Sequence, residues 1–266
     1  MKEYLVPPEL QPFTENILRS LRPSLQLSRH EEPVSEPWQS CLGGSLYLPI
    51  QEVYPSDEQF QPLSFLGQFN FSEMPLLDGF PEKGLLQIFM SSFHSQNCVT
   101  RYYPEIQTDN LVSEKDMSDL LAYTSPDHPP QNFVQNPARL AFKMVYAPPA
   151  VTDFRHRNFF SADFLTYPPF PIKKKDVDWE SVARRNAFQK LVAIGCLPKM
   201  GGYGFFPQGD PRLATPQPDT WELLLELGSH EEWGMMWGDV QELCFLIRKE
   251  SLLKADFSQL WVYLCP

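Results

Sequence analysis

The nine residues KMGGYGFFP, at positions 199–207, repeat a pattern that the chain has already used once. The earlier stretch, CLGGSLYLP, occupies positions 41–49, so the two glycine pairs lie 158 residues apart (201 − 43). Paired glycines allow positive φ angles or a close approach of two backbone segments, and each pair therefore predicts a tight turn. We predict structural turns at Gly43, Gly44, Gly201 and Gly202 and, within the motif Trp237-Gly238-Asp239, at Gly238.

The same spacing continues beyond the glycines. Leu66-Gly67-Gln68-Phe69 corresponds to Leu224-Leu225-Glu226-Leu227 at an offset of 158 (224 − 66). Further along, Gln87-Ile88-Phe89-Met90 corresponds to Cys244-Phe245-Leu246-Ile247 at an offset of 157 (244 − 87). Blocks that recur in the same order at nearly fixed gaps indicate an internal duplication.

The pattern predicts an α+β fold in which each copy contributes an antiparallel β-sheet unit, with a pseudo-twofold relation between the copies and a few flanking helices. We expect a single domain over residues 1–266, with repeats at about 24–149 and 196–266 joined by a linker and helix at 150–195. Strands are predicted at 63–71, 84–91, 98–103, 140–147, 221–227, 242–248 and 259–265, the fourth as an edge or crossing element. Helices are predicted at 8–21, 178–194 and 250–255, with a helical turn at 116–122.

The helix at 178–194 has the clearest signals. Asp178 is a candidate N-cap, and Gly195 is a candidate C-terminal stop. Its expected apolar stripe consists of Trp179, Val182, Ala183, Ala187, Leu191 and Ile194.

Composition excludes some classes of function. The net charge of −11 argues against binding to nucleic acid or to an anionic membrane surface, because both depend on Lys and Arg. The N-terminus lacks an apolar signal region, and no apolar run is long enough for a membrane span. Five scattered cysteines without a CxxC pair predict reduced thiols in a cytoplasm.

The segment 150–190 departs from the acidic average, with eight Lys or Arg against five acids. It is interpreted either as a solvated helix face with its linker, or as a docking patch. The docking patch would bind an acidic partner or the chain's own acidic surface.

Two equivalent polar residues interrupt apolar strands. Phe65, Gly67 and Phe69 are expected on one face of their strand, which leaves Gln68 on the other face and places Glu226 at the same site in the second copy. If buried, each side chain needs a hydrogen-bonding partner. The two interpretations are hydrogen bonds that join the sheet to a loop, and a polar pocket near the pseudo-twofold axis.

Two further motifs bring polar residues together. Asp239, in the Trp237-Gly238-Asp239 motif, is a candidate turn cap that accepts backbone N–H groups. Asp210 and Arg212 lie in one loop, where they form either a local salt bridge or a site in which Arg212 binds an anion.

Common catalytic signatures are missing from the sequence. The five histidines show no metal-ligand spacing, and there is no GxSxG, GxxxxGK[ST] or GxGxxG motif in the required context. We therefore expect no metal and no cofactor.

Five stretches together resemble a known family. They are SCLGGSLYLP (40–49), LSFLGQFNFSEMPLLDGFPEKGLLQIFMS (63–91), KMGGYGFFPQGDPR (199–212), WELLLEL (221–227) and MMWGDVQELCFLI (235–247). These motifs are similar to the YwqG family of bacterial proteins of unknown function. The resemblance implies a repeated antiparallel unit in a cytoplasmic bacterial protein, and it supplies no activity, cofactor or catalytic residue. Family genes near toxin and immunity systems imply a protein-binding role.

The chain departs from that family at two places. Gly228-Ser229-His230 stands where the family's second strand continues into acidic residues. The glycine that usually follows WGD is replaced around Val240-Gln241.

Two functional hypotheses remain. The first is a noncatalytic protein-interaction module whose partner is another cytoplasmic protein. The second is a small-ligand binder or enzyme with a polar cleft between the repeats, in which Glu226 is the acid/base and Arg212 holds an anion. That cleft would be lined by Gln68, Glu226, Trp237, Asp239 and Arg212. The sequence assigns no reaction.

Overall fold

The computed structural model of the chain describes residues 4–91, 98–113, 115–117, 132–165, 178–195 and 198–265. Within these residues the chain forms one antiparallel sheet of ten strands. The strands are β1 (Arg22–Arg29), β2 (Cys41–Leu42), β3 (Ser64–Asn70), β4 (Leu85–Met90), β5 (Cys98–Tyr103), β6 (Ala138–Ala147), β7 (Lys199–Met200), β8 (Trp221–Gly228), β9 (Glu242–Arg248) and β10 (Leu260–Cys265).

The described residues include three α-helices, which are α1 (Thr14–Ser20), α2 (Trp179–Ala193) and α3 (Lys249–Leu253). A 3-10 helix at Pro8–Phe13 leads directly into α1. The predicted helical turn at 116–122 lies mostly outside the described residues. None of the described helices has the length and apolar character that a membrane crossing requires.

Helix α2 begins as predicted, but the predicted apolar stripe was partly wrong. The Asp178 side chain caps the helix by accepting the Glu180 N–H at 3.1 Å. Trp179 is 70% exposed, whereas Phe188 is buried with its ring 4.9 Å from that of Phe164. The helix packs through this aromatic contact, and the buried face is Ser181, Ala187, Phe188, Leu191 and Val192.

The strand order is β10-β9-β8-β7-β1-β6-β2-β3-β4-β5. Strands β1 and β6 pair at the centre, from Arg22 opposite Ala147 to Arg29 opposite Leu140. On each side a two-residue strand follows, and then three longer strands. The prediction of β6 as an edge or crossing element was wrong, because β1 and β2 occupy its two sides.

The two sides of the sheet share the same pairing. Cys41 lies opposite Gln68, and Lys199 lies opposite Glu226, both shifted by 158 positions. A bulge interrupts β3 at Leu66, and another interrupts β8 at Leu224, again 158 positions later. The α+β class predicted from the sequence therefore holds, and the two sides of the sheet have matched registers.

The glycine turns also occupy matched positions. The Gly43 N–H donates to the Leu66 carbonyl at 2.9 Å, and the Gly201 N–H donates to the Leu224 carbonyl at 3.2 Å. Gly43 and Gly44 have φ angles of +62° and +74°, and Gly201 and Gly202 have +70° and +73°. Other residues adopt this left-handed backbone only at a cost in free energy.

The bulges change which residues share a face. Phe65 packs beside Leu46 and Tyr54 on one face of the sheet, whereas Phe69 belongs to the main core. The prediction that Phe65 and Phe69 lie on one face was wrong, because the extra residue at Leu66 breaks the alternation of side chains.

The main core is shared by both sides of the sheet. Phe69 and Ile88 from one side belong to the same buried cluster as Leu225 and Phe245 from the other. The two ends of the sheet also meet, since the Thr100 hydroxyl of β5 donates to the Phe257 carbonyl just before β10. The sheet is therefore nearly closed, and neither side buries its core alone.

Candidate functional site

A cavity of about 540 Å³ opens beside the Gly43-Gly44 turn. We call it the corner cavity. It is lined by Val34, Ser35, Glu36, Pro37, Gly44, Ser45, Leu46, Tyr54, Phe65, Val112, Ser113 and Met117. Apolar groups form its floor, and hydroxyl and carboxylate groups lie at its rim, a composition typical of binding sites.

The floor of the corner cavity is held in place by buried contacts. The Tyr54 hydroxyl donates to the Leu63 carbonyl at 2.8 Å, and burial raises the pKa of Tyr54 above its usual value. The Tyr54 ring meets the Phe89 ring edge to face at 5.7 Å. These contacts position the apolar wall before any ligand arrives.

A second cavity of about 380 Å³ adjoins the first and shares Val34, Gly44 and Ser45 with it. Arg139 in its wall already pairs with Glu32 at 3.4 Å and lies 3.9 Å from Glu73. The loop at 31–37 therefore carries Glu31, Glu32 and Glu36 along both cavities, with only Glu32 paired to an arginine among the described residues.

The matching place beside the Gly201-Gly202 turn is filled. The lining of this place includes Val192, Gly195, Tyr203 and Gly204. At an offset of 158 positions these residues correspond to Val34, Pro37, Ser45 and Leu46 of the corner cavity. The void beside them is nevertheless only about 10 Å³. The Tyr203 hydroxyl donates to the Ser20 carbonyl at 2.8 Å.

The chain's own segments fill that second place. Phe205 packs against a buried cluster whose members come from the N-terminal segment, from residues 150–165 and from helix α2. These members are Val6, Leu10, Ile17, Ala150, Phe160, Phe164, Leu165, Ala187, Phe188, Leu191 and Val192. The place that corresponds to the corner cavity is therefore covered by polypeptide in the second half of the sheet, although a separate cavity of about 180 Å³ borders Gly201 and Gly202 on another side.

Gln68, a predicted site residue, is fully buried and has all its polar atoms bonded. Its Oε1 accepts the Tyr47 N–H at 2.9 Å and the Gln87 side-chain amide at 3.1 Å. Its Nε2 donates to the carbonyls of Pro37 and Gln39. Gln68 therefore joins the sheet to the segments on either side of the first turn.

Glu226, its equivalent, lies beneath the second turn. Its Oε2 accepts the Phe205 N–H at 3.3 Å, which matches the bond from Tyr47 to Gln68 at an offset of 158 (205 − 47). The same oxygen lies 3.1 Å from Lys199 Nζ, which also donates to the Gly195 carbonyl. The void beside this group has room for about one water molecule.

Glu226 also has an acidic neighbour, Glu242. Burial, together with a hydrogen bond to Glu226, raises the pKa of Glu242 to about 9. Glu242 is therefore protonated at neutral pH.

Asp210 and Arg212 do lie together, in a buried charge cluster. Arg212 is fully buried, and its guanidinium bonds to Asp210 at 2.7 and 2.9 Å and to Asp153 at 2.8 Å. The rings of Phe154 and Phe206 lie 4.7 and 5.1 Å from the guanidinium. No face of Arg212 is open to a solvent-borne anion.

The third predicted group, the Trp237-Gly238-Asp239 motif, lies apart from the groups described above. Trp237 is buried, with its ring 5.7 Å from that of Phe133. Its backbone N–H donates to the Ser229 hydroxyl at 2.9 Å. Gly238 has a φ angle of +51°, as a turn glycine does, and Asp239 is exposed. No bond between Asp239 and another described residue is seen.

The structure therefore brings Asp210 and Arg212 together but leaves Gln68, Glu226 and Trp237 in separate buried settings. None of the residues predicted to bind a ligand lines the corner cavity, although the predicted turn residue Gly44 does. Sequence reasoning missed the cavity because its walls come from segments up to 83 positions apart (117 − 34). The acidic, proline-broken loop at 31–37 was its visible signal. The described residues hold no group of three or more metal-binding side chains.

Comparison with known proteins gives a family without a known activity. The profile of a domain of unknown function, DUF1963, matches residues 40–265. That range includes both glycine turns and every described strand except β1. A comparison with curated proteins finds no match. Since the profile covers most of the chain, the protein belongs to the DUF1963 family of domains of unknown function.

Proposed function

We propose that the protein is a noncatalytic protein-interaction module, and that its corner cavity binds a short segment of a partner protein. The proposal extends to a partner in the bacterial cytoplasm, as the resemblance to the YwqG family implies, with toxin and immunity proteins among the candidates. The experiments below identify the ligand by its chemistry.

The observation that best supports the proposal is the difference between the surroundings of the two glycine turns. Residues Val192, Gly195, Tyr203 and Gly204 are covered by the chain's own polypeptide, whereas their equivalents border a void of about 540 Å³. On the side of the second glycine turn, the sheet thus already packs against other segments of the chain. An external segment can take the corresponding place on the other side.

This comparison depends on treating the two sides as copies of one unit. We infer an internal duplication, with repeats at about 24–149 and 196–266, from the shared offsets in strand pairing, bulges and glycine turns. The bond from Tyr47 to Gln68 and its counterpart from Phe205 to Glu226 support it further.

The charges around the corner cavity indicate which kind of partner segment would bind there. Glu36 at the cavity rim and Glu31 in the same loop are exposed, on a chain whose net charge is −11. The floor formed by Leu46, Tyr54 and Phe65 is apolar. A segment with an apolar side chain flanked by Lys or Arg matches both features.

Exposed apolar side chains within six positions of Tyr54 in the sequence favour a protein over a smaller ligand. Val53 directly precedes Tyr54 and is 78% exposed, and Ile50 is 67% exposed. Phe60 is 84% exposed, at the tip of a turn whose base is closed by the bond from the Leu63 N–H to the Pro55 carbonyl. Exposed aromatic side chains are frequent anchors of protein interfaces.

Panning of a random peptide library on the purified protein tests the proposal. Selected peptides are expected to share an apolar residue with basic neighbours. Their affinity, measured by fluorescence anisotropy, should fall at least about tenfold in Ser45→Trp, which fills the cavity. Leu213→Trp places the same indole side chain at an exposed site outside the cavity and should bind as the wild type does.

Charge reversal gives a second readout. Glu36→Lys should weaken the same peptides and reduce the salt dependence of their binding, because it removes a rim carboxylate. Selected peptides that bind Ser45→Trp and wild type equally well would contradict the proposed site.

The alternative function, small-ligand binding, is favoured by the cavity volume. About 540 Å³ falls within the range of small-molecule sites. A thermal-shift screen against metabolites tests it, since a ligand of the native state raises the melting temperature by mass action. A compound that stabilises the wild type but not Ser45→Trp, together with failure of peptide selection, would favour this alternative.

A further inference from the structure

Two cysteine side chains touch inside the sheet, away from the corner cavity. Cys244 lies in β9 and Cys265 lies at the end of β10, and their Sγ atoms are 3.4 Å apart. Both residues are buried, with exposures of 0% and 2%, and both are free thiols. A covalent S–S bond is about 2.05 Å long, so the sulfurs need to approach by only about 1.4 Å.

The register explains the contact. Cys244 pairs with Tyr263, and Cys265 pairs with Glu242, so the two cysteines are diagonal neighbours on one face of the sheet. They share an apolar cluster with Phe206, Leu223 and Leu246. Cys41 has a different setting, since its Sγ lies 3.4 Å from the Ser45 carbonyl.

We propose that Cys244 and Cys265 form a redox-active dithiol, which small-molecule disulfides such as oxidised glutathione convert into an intramolecular disulfide. In the first step one cysteine thiolate attacks the small disulfide, forms a mixed disulfide and releases one glutathione thiolate. In the second step the other cysteine attacks the mixed disulfide and releases the second. The two protons lost by the protein end on the two glutathione thiols, and the balance is one disulfide for another.

Burial makes this reaction slow rather than absent. A hydrogen bond with Cys265, together with burial and nearby carboxylates, raises the pKa of Cys244. The thiolate is the reacting form, so attack requires local opening of the strand end. Strand β10 favours such opening because it pairs on one side only, with β9.

The disulfide would link the outermost pair of strands on this side of the sheet. It would close the chain between positions 244 and 265, which includes helix α3. A crosslink of this kind reduces the conformational freedom of the unfolded chain. The oxidised protein is therefore expected to melt several degrees higher than the reduced protein.

The test uses the full chain with the other three cysteines replaced, as C41S/C98S/C196S. The protein is incubated in buffers with different ratios of oxidised to reduced glutathione, trapped with N-ethylmaleimide under denaturing conditions and weighed intact. The expected product is two hydrogens lighter than the reduced protein and carries no maleimide. Its fraction should follow the ratio of the buffer, with one defined midpoint.

A matched variant distinguishes formation of the Cys244–Cys265 disulfide from the reaction of a single thiol with glutathione. C265S in the same background can form only a glutathione adduct on Cys244, and its melting temperature should not rise on oxidation. Wild-type protein provides the same test if the background variant does not fold, through a digest that yields the peptide crosslinked between Cys244 and Cys265. Persistent mixed disulfides, or two maleimides on every molecule at all glutathione ratios, would overturn the proposal.

Discussion

Val240 is a residue at which side chain and backbone conflict. It has a φ angle of +57° although it is β-branched, and it is 70% exposed. The left-handed conformation costs an L-residue roughly 1–2 kcal/mol, and few contacts of an exposed side chain compensate for it.

Replacement of Val240 by glycine should therefore stabilise the protein by about 1 kcal/mol, since relief of the backbone exceeds the added entropy of the unfolded chain. Val240→Asn should fall between the two, because Asn tolerates this region. Chemical denaturation checks the order. Val53→Gly is the control, as Val53 is similarly exposed without a positive φ, and it should destabilise. A Val240→Gly variant less stable than the wild type would refute this account.

Single residues were predictable where the backbone itself restricts the choice. The glycine pairs at 43–44 and 201–202 are recognisable from composition and spacing, and all four have positive φ. The partners of Arg212 were less accessible to sequence reasoning. Asp210 is two positions away, but Asp153 comes from a segment 59 positions earlier, and only the fold brings it into contact.

At the scale of elements, apolar runs predicted seven of the eight longer strands to within a few residues, but β1 (Arg22–Arg29) was missed. The two-residue strands β2 and β7 were missed because two residues carry no periodic signal. The bulges at Leu66 and Leu224 were missed for a related reason. A bulge leaves the composition unchanged and alters only the face to which later side chains point.

The contact between Glu226 in β8 and Glu242 in β9 makes stability depend on pH. The pKa of Glu242 is raised to about 9 in the folded protein, against about 4.3 in an unfolded chain. Between these values the folded state holds a proton that the unfolded state has lost. This contribution to stability is complete below about pH 4.3 and is lost as the pH rises towards about 9.

Glu242→Gln should remove this dependence, because an amide cannot ionise and still donates to Glu226. We expect the variant to melt higher than the wild type, by a difference that grows from about pH 5 to about pH 9. Melting curves across that range test it. Glu231→Gln, at an exposed carboxylate, should show no such growth. A Glu242→Gln variant whose melting temperature keeps a constant difference from that of the wild type across this range would contradict the raised pKa of Glu242.

At the scale of the whole molecule, the matching blocks were visible in the sequence, but the difference between the two sides of the sheet was not. The cover on that second side comes from the N-terminal segment, from residues 150–165 and from helix α2, which lie outside the repeated blocks. Periodicity within a block cannot indicate which turn such segments will cover. The open corner cavity emerges only from the comparison of the two sides in three dimensions.

Hydrogen–deuterium exchange with a selected basic-apolar peptide tests most directly whether the open turn is a binding site for polypeptide. We predict slower exchange of backbone amides at 34–36 and 44–46 when the peptide is bound, with no change at 192–195 and 203–204, where the chain's own segments already cover the corresponding place. Unchanged exchange at the first turn, or protection confined to the second, would contradict it.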